Sequence, residues 1–229
     1  MRYTLDFFPL VGVVIGFVSF VFLAVDGLIP GASIFVRTCV LCIIPILITG
    51  GIHLDGFMDT SDALSSGKSR KEKLEILKDP HIGAFAVIRV FVLAAVYAAA
   101  VSMIQGTAAT IYCMCFVLSR TLSGISAMRF RNARREGMLY TVSSATSVKE
   151  NTVFVILATE AGVTLFCMAV ISPIEAIACA VAAGLCFVHY WRVSDREFGG
   201  ITGDIAGWFL CRCEAATAVV LAVCSRLGV

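Results

Sequence analysis

Three aspartates lie close together in the stretch GGIHLDGFMDTSD, which runs from Gly50 to Asp62. Asp55, Asp59 and Asp62 are spaced i, i+4 and i+7, so they share one face if the preceding helix continues through them. Three like charges on one face repel each other, and a bound cation would relieve that repulsion. Carboxylate oxygens suit Mg²⁺, which takes one or two carboxylates together with substrate phosphate. The spacing therefore predicts a magnesium site, and the alternative is a solvated acidic loop.

A single ion cannot bind all three side chains directly. Seven residues of helix rise roughly 10 Å, whereas Mg²⁺–oxygen bonds are about 2.1 Å long. Either two ions bind, or one aspartate acts through a water molecule.

A second cluster, EFGGITGD, runs from Glu197 to Asp204 and leads into the last apolar segment. Gly199, Gly200 and Gly203 allow a ligand to approach the backbone closely, with Thr202 between them as a further substrate-binding candidate. Asp204 is predicted either to cap the following helix or to serve as a further metal ligand. The same composition also suits an ordinary turn.

Four arginines follow one another in MRFRNARREG: Arg129, Arg131, Arg134 and Arg135. Guanidinium groups bind phosphate oxygens in a bidentate manner. Arginines at this position can also serve membrane topology alone. Together with the acidic and glycine-rich clusters, they predict phosphoryl or nucleotidyl-type transfer, and reasoning from residue chemistry stops at that reaction class.

These clusters must be positioned by a very apolar chain. Its 229 residues are 59% hydrophobic and only 15% charged, with a mean hydropathy of +0.93, whereas a typical soluble domain is about 25% charged. The apolar segments are long enough to cross a bilayer. We therefore predict an all-α, polytopic integral membrane bundle that forms a single domain over 1–229. The seven predicted spans are 7–25, 33–51, 84–105, 107–127, 152–172, 174–191 and 205–223.

Basic residues predict the orientation of this bundle. The long loops 52–83, 128–151 and 192–204 hold twelve lysines and arginines, whereas the opposite side holds only Arg37 and Arg226. Cytoplasmic loops carry the excess of Lys and Arg. The N-terminus and all three long loops are thus expected on the cytoplasmic side of the cell (inner) membrane.

The first long loop contains a short amphipathic pattern. Ser69 and Glu72 form a capping box, and Pro80 stops the helix. This predicts a helix over about 70–79 that lies on the bilayer surface. Alternatively, its basic residues simply contact anionic lipid.

The ten cysteines lie in or beside apolar runs, where they are expected to pack as small hydrophobic side chains. Cys39 and Cys42 form a C-x-x-C motif, but no second ligand pair accompanies them. A metal or redox role is therefore not predicted.

Several motifs, in order along nearly the whole chain, resemble one family. They are FFPLVGVVIG, GGIHLDGFMDTSDA, LEILKDPHIGAF, REGMLY and GGITGD. The set resembles the adenosylcobinamide-GDP ribazoletransferases, also called cobalamin synthases. The chain departs from the family pattern at Ala63 and Ala86, where glycine is usual, and at Trp208, where a small residue is usual. These departures bear on local loop geometry more than on chemistry.

The resemblance implies a multi-pass membrane enzyme that uses Mg²⁺. It would join adenosylcobinamide-GDP to α-ribazole or its 5′-phosphate, release GMP and form adenosylcobalamin or its 5′-phosphate. The acidic block would hold Mg²⁺ against the pyrophosphate while the ribazole hydroxyl attacks phosphorus. Catalysis would then rest mainly on positioning and charge stabilisation.

The resemblance also suggests individual roles. Asp55 and Asp59 are expected to be metal ligands, and Asp62 either completes the metal site or acts as general base. His53 is a second candidate base because imidazole titrates near neutrality, although it also suits a hydrogen-bonding role at a helix end. Lys78 is expected to contact phosphate.

Two other functions remain open from the sequence. A CDP-alcohol phosphotransferase also uses membrane aspartates, but its motif carries Ala-Arg where Phe57 and Met58 stand here. A transporter would need polar groups at the bilayer midplane, for which Glu160 is the best candidate. No nucleic-acid partner is expected, and a homo-oligomer is an open alternative.

Overall fold

The computed structural model describes residues 8–134, 136–137, 139–141 and 150–228, with Glu150 described by its backbone alone. The described residues contain no β-strand, and their only β-type pairing is one isolated parallel bridge between Asn132 and Ile201. The all-α prediction is confirmed. The helices are α1 (Phe8–Asp26), α2 (Ile34–Thr49), α3 (Ile52–Ser65), α4 (Arg70–Ile76), α5 (Ala84–Met103), α6 (Thr107–Arg129), α7 (Glu150–Ile171), α8 (Pro173–Val193) and α9 (Gly203–Leu227), with a π-helical turn at Ser194–Phe198 after α8.

Six of these helices are long and apolar enough to cross a membrane: α1, α5, α6, α7, α8 with its π-helical turn, and α9. The pair α2 and α3 gives a seventh span only if the two helices, bent by 92° to each other, are counted together. The polytopic bundle is therefore confirmed. We count α3 outside the spanning segments because it turns away from α2 and carries the acidic block.

The condition stated for the shared face, that the preceding helix continues through the aspartates, is not met, because the chain bends between α2 and α3. Gly50 and Gly51 have φ angles of +64° and +80°, a left-handed conformation that glycine adopts without steric cost. Gly50 ends α2, and the N–H of Gly51 donates to the carbonyl of Ile46 at 3.0 Å. A new helix, α3, then begins at Ile52. Because all three aspartates lie on α3, their predicted i, i+4, i+7 relation survives the bend.

The centre of the bundle is formed by α6 and α9. Within the span windows, 67% of α6 and 61% of α9 are buried, against 17% for α5 and for α7. Helix α1 packs closely on α6 through two glycines, since a Cβ at Gly12 or Gly16 would overlap the carbonyl oxygens of Phe116 and Cys113. The two central helices thus form the frame against which the other helices pack.

The predicted surface helix forms, but it ends at Ile76 rather than near residue 79. The carboxylate of Glu72 accepts from the N–H of Ser69 at 3.0 Å and from its hydroxyl at 2.6 Å, which confirms the capping box. Lys73 is buried and pairs with Glu197 of the π-helical turn at 2.5 Å. The Nε of Arg70 donates to the carbonyl of Arg196 at 2.7 Å. These two basic residues bind protein groups, so simple contact with anionic lipid does not account for them.

The cysteines of the described residues are all free. Cys113, Cys115, Cys179, Cys213 and Cys224 belong to the buried core, as predicted for packing residues. The extent of the single domain stays a prediction.

Candidate active site at the junction of α3 and α9

Close packing of α3 on α9 brings the acidic block and the GGITGD motif together. A Cβ at Gly56 would lie 2.7 Å from the carbonyl oxygen of Asp204, and one at Gly207 would lie 2.9 Å from that of His53. Contacts this short leave no room for a larger side chain. Glycine at these two positions therefore lets Asp204 sit directly beside the helix that carries Asp55 and Asp59.

The four aspartates influence one another. Partial burial, followed by the charges of Asp55, Asp204 and Asp62, raises the pKa of Asp59 to about 6. No group of three His, Cys, Asp or Glu side chains within the described residues has an arrangement that could by itself hold a metal ion. The donor set therefore suits an ion that takes one or two carboxylates and completes its shell with phosphate and water, as Mg²⁺ does.

A cavity of about 420 Å³ opens at this junction. Asp55 and Asp204 line it together with His53, Arg134 and Thr202. The volume falls within the usual range of about 300–1,000 Å³ for small-molecule sites. Carboxylates and a guanidinium face one space, as a phosphate–metal site requires.

Two predicted ligands lie beside this cavity rather than in its wall. Asp59 and Asp62 are half-buried on α3 and are not among the described residues that line it. The carboxylate of Asp62 packs against Gly83, where an added Cβ would overlap its oxygens. Asp59 influences the site electrostatically, through its charge. Asp62 packs α3 against the start of α5.

The glycine-rich turn serves two purposes. Gly199 and Gly200 have φ angles of +74° and +153° and do not line the cavity. A Cβ at Gly200 would overlap the backbone of the 131–133 segment. There the N–H of Ile201 donates to the carbonyl of Arg131 at 2.8 Å, and that of Ala133 donates to Ile201 at 2.9 Å. Gly200 therefore lets the arginine segment pack against this turn, whereas Gly203 lines the cavity.

Thr202, not Asp204, caps α9. The hydroxyl of Thr202 accepts from the N–H of Ile205 at 3.3 Å, so the prediction that Asp204 might be the cap is wrong. The same hydroxyl donates to Oδ2 of Asp204 at 3.3 Å. Asp204 is thereby held in the cavity wall with its carboxylate available for a ligand.

Of the three predicted arginines that the structure describes, Arg134 lines the cavity, and Arg129 and Arg131 do not. Its Nη2 donates to the carbonyl of Leu74, and its buried Nε has no acceptor. Arg129 instead lies over the ring of Phe154, 4.0 Å from the centroid, and Arg131 is exposed and binds through its backbone. The prediction for Arg135 lies outside the described residues.

Lys78 lies at the rim of the cavity. Its ammonium binds Glu136 at 2.8 Å, and Glu136 does line the cavity. The hydrogen bond to Glu136 raises the pKa of Lys78. The predicted phosphate contact would require Lys78 to exchange this exposed partner.

His53 lines the cavity with its ring edge-on to Phe8 at 6.1 Å. Burial, followed by the positive charge of Arg120, lowers the pKa of His53 to about 4. The imidazole is therefore neutral at neutral pH, as a proton acceptor must be, but it is a weaker base than a free histidine.

Comparison with known proteins identifies the family. The family model described as cobalamin-5-phosphate synthase matches residues 1–222. The chain belongs to this family. A protein of Lachnoclostridium phytofermentans named adenosylcobinamide-GDP ribazoletransferase is 42% identical over 224 residues, which cover 97% of this chain and 85% of the relative. Proteins with the same name are 32% identical in Clostridium botulinum strain Alaska E43, over 89% of this chain and 80% of the relative, and 30% identical in Rhizobium johnstonii, over 94% and 84%. No solved structure matches.

The three departures from the pattern of the cobalamin-5-phosphate synthase family lie in packed helices. Ala63 on α3 and Ala86 on α5 are fully or nearly fully buried, as is Trp208 on α9. The indole of Trp208 lies near the ring of His189 at 5.7 Å and beneath the guanidinium of Arg212 at 4.7 Å. Ala63, Ala86 and Trp208 therefore bear on the packing of the core, and none of them lies in a loop.

An ion pair deep in the bundle was not predicted from the sequence. Arg120 of α6 binds Glu214 of α9 at 2.6 Å, and their side chains are 1% and 12% exposed. The acid predicted for the midplane is Glu160, which is not part of this pair. Arg120 is the only charged residue of the predicted span 107–127, and Glu214 shares the span 205–223 with Arg212. A search of each span for charged residues, followed by pairing of opposite signs, would have pointed to both residues, since isolated charges inside spans are costly.

Proposed function

We propose that this chain transfers the adenosylcobinamide-phosphate moiety of adenosylcobinamide-GDP to α-ribazole or its 5′-phosphate and releases GMP. The names of its relatives support this activity. The observation that carries it is that Asp55 and Asp204, on two packed helices, line the same cavity as Arg134. Opposed carboxylates and a guanidinium suit a pyrophosphate with its counter-ion.

The positive groups of the cavity suit the pyrophosphate. Arg134 brings a guanidinium whose Nε has no acceptor in the described structure. Helix α9 begins at Gly203 in the same wall, so its N-terminal dipole and free N–H groups also favour an anion. These groups would hold the phosphates of the donor and stabilise charge that develops on them.

We propose that Asp55 and Asp204 would hold Mg²⁺, with Asp59 close behind them. Burial, and after it the charges of Asp55, Asp204 and Asp62, raises the pKa of Asp59, and a bound cation would relieve the repulsion among these carboxylates. When bound, Mg²⁺ would neutralise the phosphate oxygens. Because the carboxylates already lie on two helices packed through glycine, little rearrangement is needed to offer them to the metal.

The acceptor hydroxyl must lose a proton as it attacks phosphorus. Of the two candidate bases, His53 lines the cavity and Asp62 does not. The low pKa of His53 keeps its ring unprotonated, so it can accept a hydrogen bond from the hydroxyl. Position therefore favours His53, and Asp62 is better placed to hold α3 against α5.

We also propose that the site faces the cytoplasm in the inner membrane. The start of α9, the end of α6 and the first turn of α3 all meet at the cavity, so the lining residues share one end of the bundle. The three long loops carry twelve lysines and arginines in the sequence, and an excess of these residues is typical of cytoplasmic loops. A homo-oligomer remains a further proposal.

The test is release of GMP from adenosylcobinamide-GDP and α-ribazole by the purified chain. Asp55→Asn keeps the side-chain shape but removes charge, and we expect the rate to fall about 10³-fold or more because metal stabilisation of the transition state is worth several kcal/mol. Mg²⁺ should raise the Tm of the wild type and not that of Asp55→Asn.

Asp195→Asn is the matched control, since Asp195 is an exposed carboxylate on the nearby π-helical turn. It should keep wild-type activity and the Mg²⁺-dependent Tm. Unchanged turnover of Asp55→Asn at limiting Mg²⁺ would contradict the metal assignment. A wild type that releases CMP from a CDP-alcohol, and no GMP, would establish the rival activity.

A further inference from the structure

A second, larger cavity lies between α2 and α5. It encloses about 680 Å³ and extends along α2 from Phe35 to Thr49. Most of its wall is apolar, and α6 and α9 close its inner side. The volume again falls in the range that holds a small organic molecule.

Two charged side chains interrupt this apolar wall. They are Arg120 and Glu214, the ion pair buried in the bundle. Nη1 of Arg120 makes three hydrogen bonds, to Phe116, Ser119 and Glu214, while its Nε has no acceptor. Oε1 of Glu214 accepts from both Arg120 and Ser119. Within the described residues, Nη2 of Arg120 and Oε2 of Glu214 make no hydrogen bond, so a donor and an acceptor remain unused in the cavity wall.

Unused polar atoms restrict what can fill this space. A buried polar group that lacks a partner costs free energy, and a charged one costs more. A hydrocarbon chain would cover these atoms without a hydrogen bond. The fitting ligand has a flat apolar body and a small polar edge that can accept from the guanidinium.

The two cavities are stacked along one face of α9. Gly207 lines the acidic cavity and Glu214 lines the apolar one, and seven residues of helix rise roughly 10 Å. Between them, the thiol of Cys211 donates to the carbonyl of His53 at 3.4 Å. His53 itself lines both cavities. The two cavities therefore adjoin at His53, two residues before Asp55 on α3.

We infer that the apolar cavity binds the heteroaromatic base of the acceptor nucleoside, a benzimidazole-type ring. This rests on the proposed function for the identity of the acceptor. A ring nitrogen of the base accepts a hydrogen bond from Arg120, and the ribose extends past His53 so that its hydroxyl enters the acidic cavity.

Filling the cavity tests the inference without touching the ion pair. Ala98 of α5 lines the cavity, and Ala95, on the same helix, is exposed and does not. Ala98→Phe should raise the KM for α-ribazole about tenfold or more, with the KM for adenosylcobinamide-GDP and kcat nearly unchanged, since uniform binding of the acceptor is lost. Ala95→Phe adds the same bulk outside the cavity and should change neither KM.

Binding of benzimidazole alone gives a readout that does not depend on turnover. Cys42 lines the cavity, so benzimidazole should slow its modification by an apolar maleimide in the wild type and in Ala95→Phe, but not in Ala98→Phe. Suppose that the protein releases GMP, but benzimidazole does not protect Cys42 and Ala98→Phe leaves the KM for α-ribazole unchanged. That result would overturn this inference and leave the proposed function standing. Protection of Cys42 by benzimidazole in a protein that never releases GMP would support the site and refute the proposed function. A co-purified lipid that disappears in Ala98→Phe, without a change in KM, would assign the cavity to a hydrocarbon chain and overturn the inference.

Discussion

Arg134 and Arg129 have the same side chain and lie five positions apart, but the structure gives them different surroundings. Arg134 lines the acidic cavity, whereas Arg129 lies over Phe154. Arg134→Ala should therefore raise the KM for adenosylcobinamide-GDP about tenfold with little change in kcat, because it removes binding shared by ground state and transition state. Arg129→Ala, the matched control, should leave this KM unchanged. Equal KM values in wild type and Arg134→Ala would reduce Arg134 to a structural residue that binds the Leu74 carbonyl.

Residue spacing predicted that the three carboxylates share one helix, but it did not predict which of them line the cavity. The i, i+4, i+7 pattern placed three aspartates on one helix, as found, but only Asp55 of the three lines the cavity. Its partner, Asp204, comes from a helix about 150 residues further along the chain, and spacing carries no information on such a pairing. Arg120 and Glu214 were missed for the same reason, since they lie in different spans and each gains its meaning only from the other.

Helices α3 and α9 depend on glycine for their close approach. Gly56→Ala would place a methyl group 2.7 Å from the carbonyl oxygen of Asp204 and force the helices apart. We expect the variant to lose about 1–3 kcal/mol of stability, the usual cost of overpacking, and to lose activity because Asp204 moves from Asp55. Thermal unfolding and GMP release measure the two effects.

Gly162→Ala on α7 is the control for that substitution. No atom lies within 4 Å of a Cβ added there, and alanine has a higher helix propensity than glycine. Its stability should equal or exceed that of wild type. A Gly56→Ala protein as stable and active as Gly162→Ala would show that the α3–α9 distance is not critical.

At the scale of elements, apolar runs predicted which segments are helical but not how they bend. The second apolar run was predicted over 33–51, whereas α2 ends at Thr49 and the chain then turns by 92° into α3, within the segment predicted as a loop. The two glycines were visible in the sequence. Their left-handed conformation was not, because glycine takes either sign of φ at similar cost and tertiary packing selects one.

The whole molecule places its chemistry at one end. The acidic cavity is assembled from α3, the start of α9 and the segment after α6, and the short helix α4 is fixed to the π-helical turn by Lys73 and Glu197. At the opposite end, Gln105 lies in the short connection between α5 and α6. Charge bias predicted this division because it depends on counts along the chain and not on packing.

A cysteine-labelling scan tests this orientation. Lys68→Cys, Arg131→Cys and Asp195→Cys place thiols in the three long loops, at residues that are exposed. In intact cells, an impermeant maleimide should leave all three unlabelled until the membrane is opened, because we propose that each loop faces the cytoplasm. Gln105→Cys, on the exposed connection at the other end, should label before opening. The parent chain, whose native cysteines are all free, gives the background to subtract. A loop position that labels in intact cells, as Gln105→Cys does, would show that the three loops do not lie on the same side of the membrane. The acidic cavity could then not be assembled from all three loops on the cytoplasmic face.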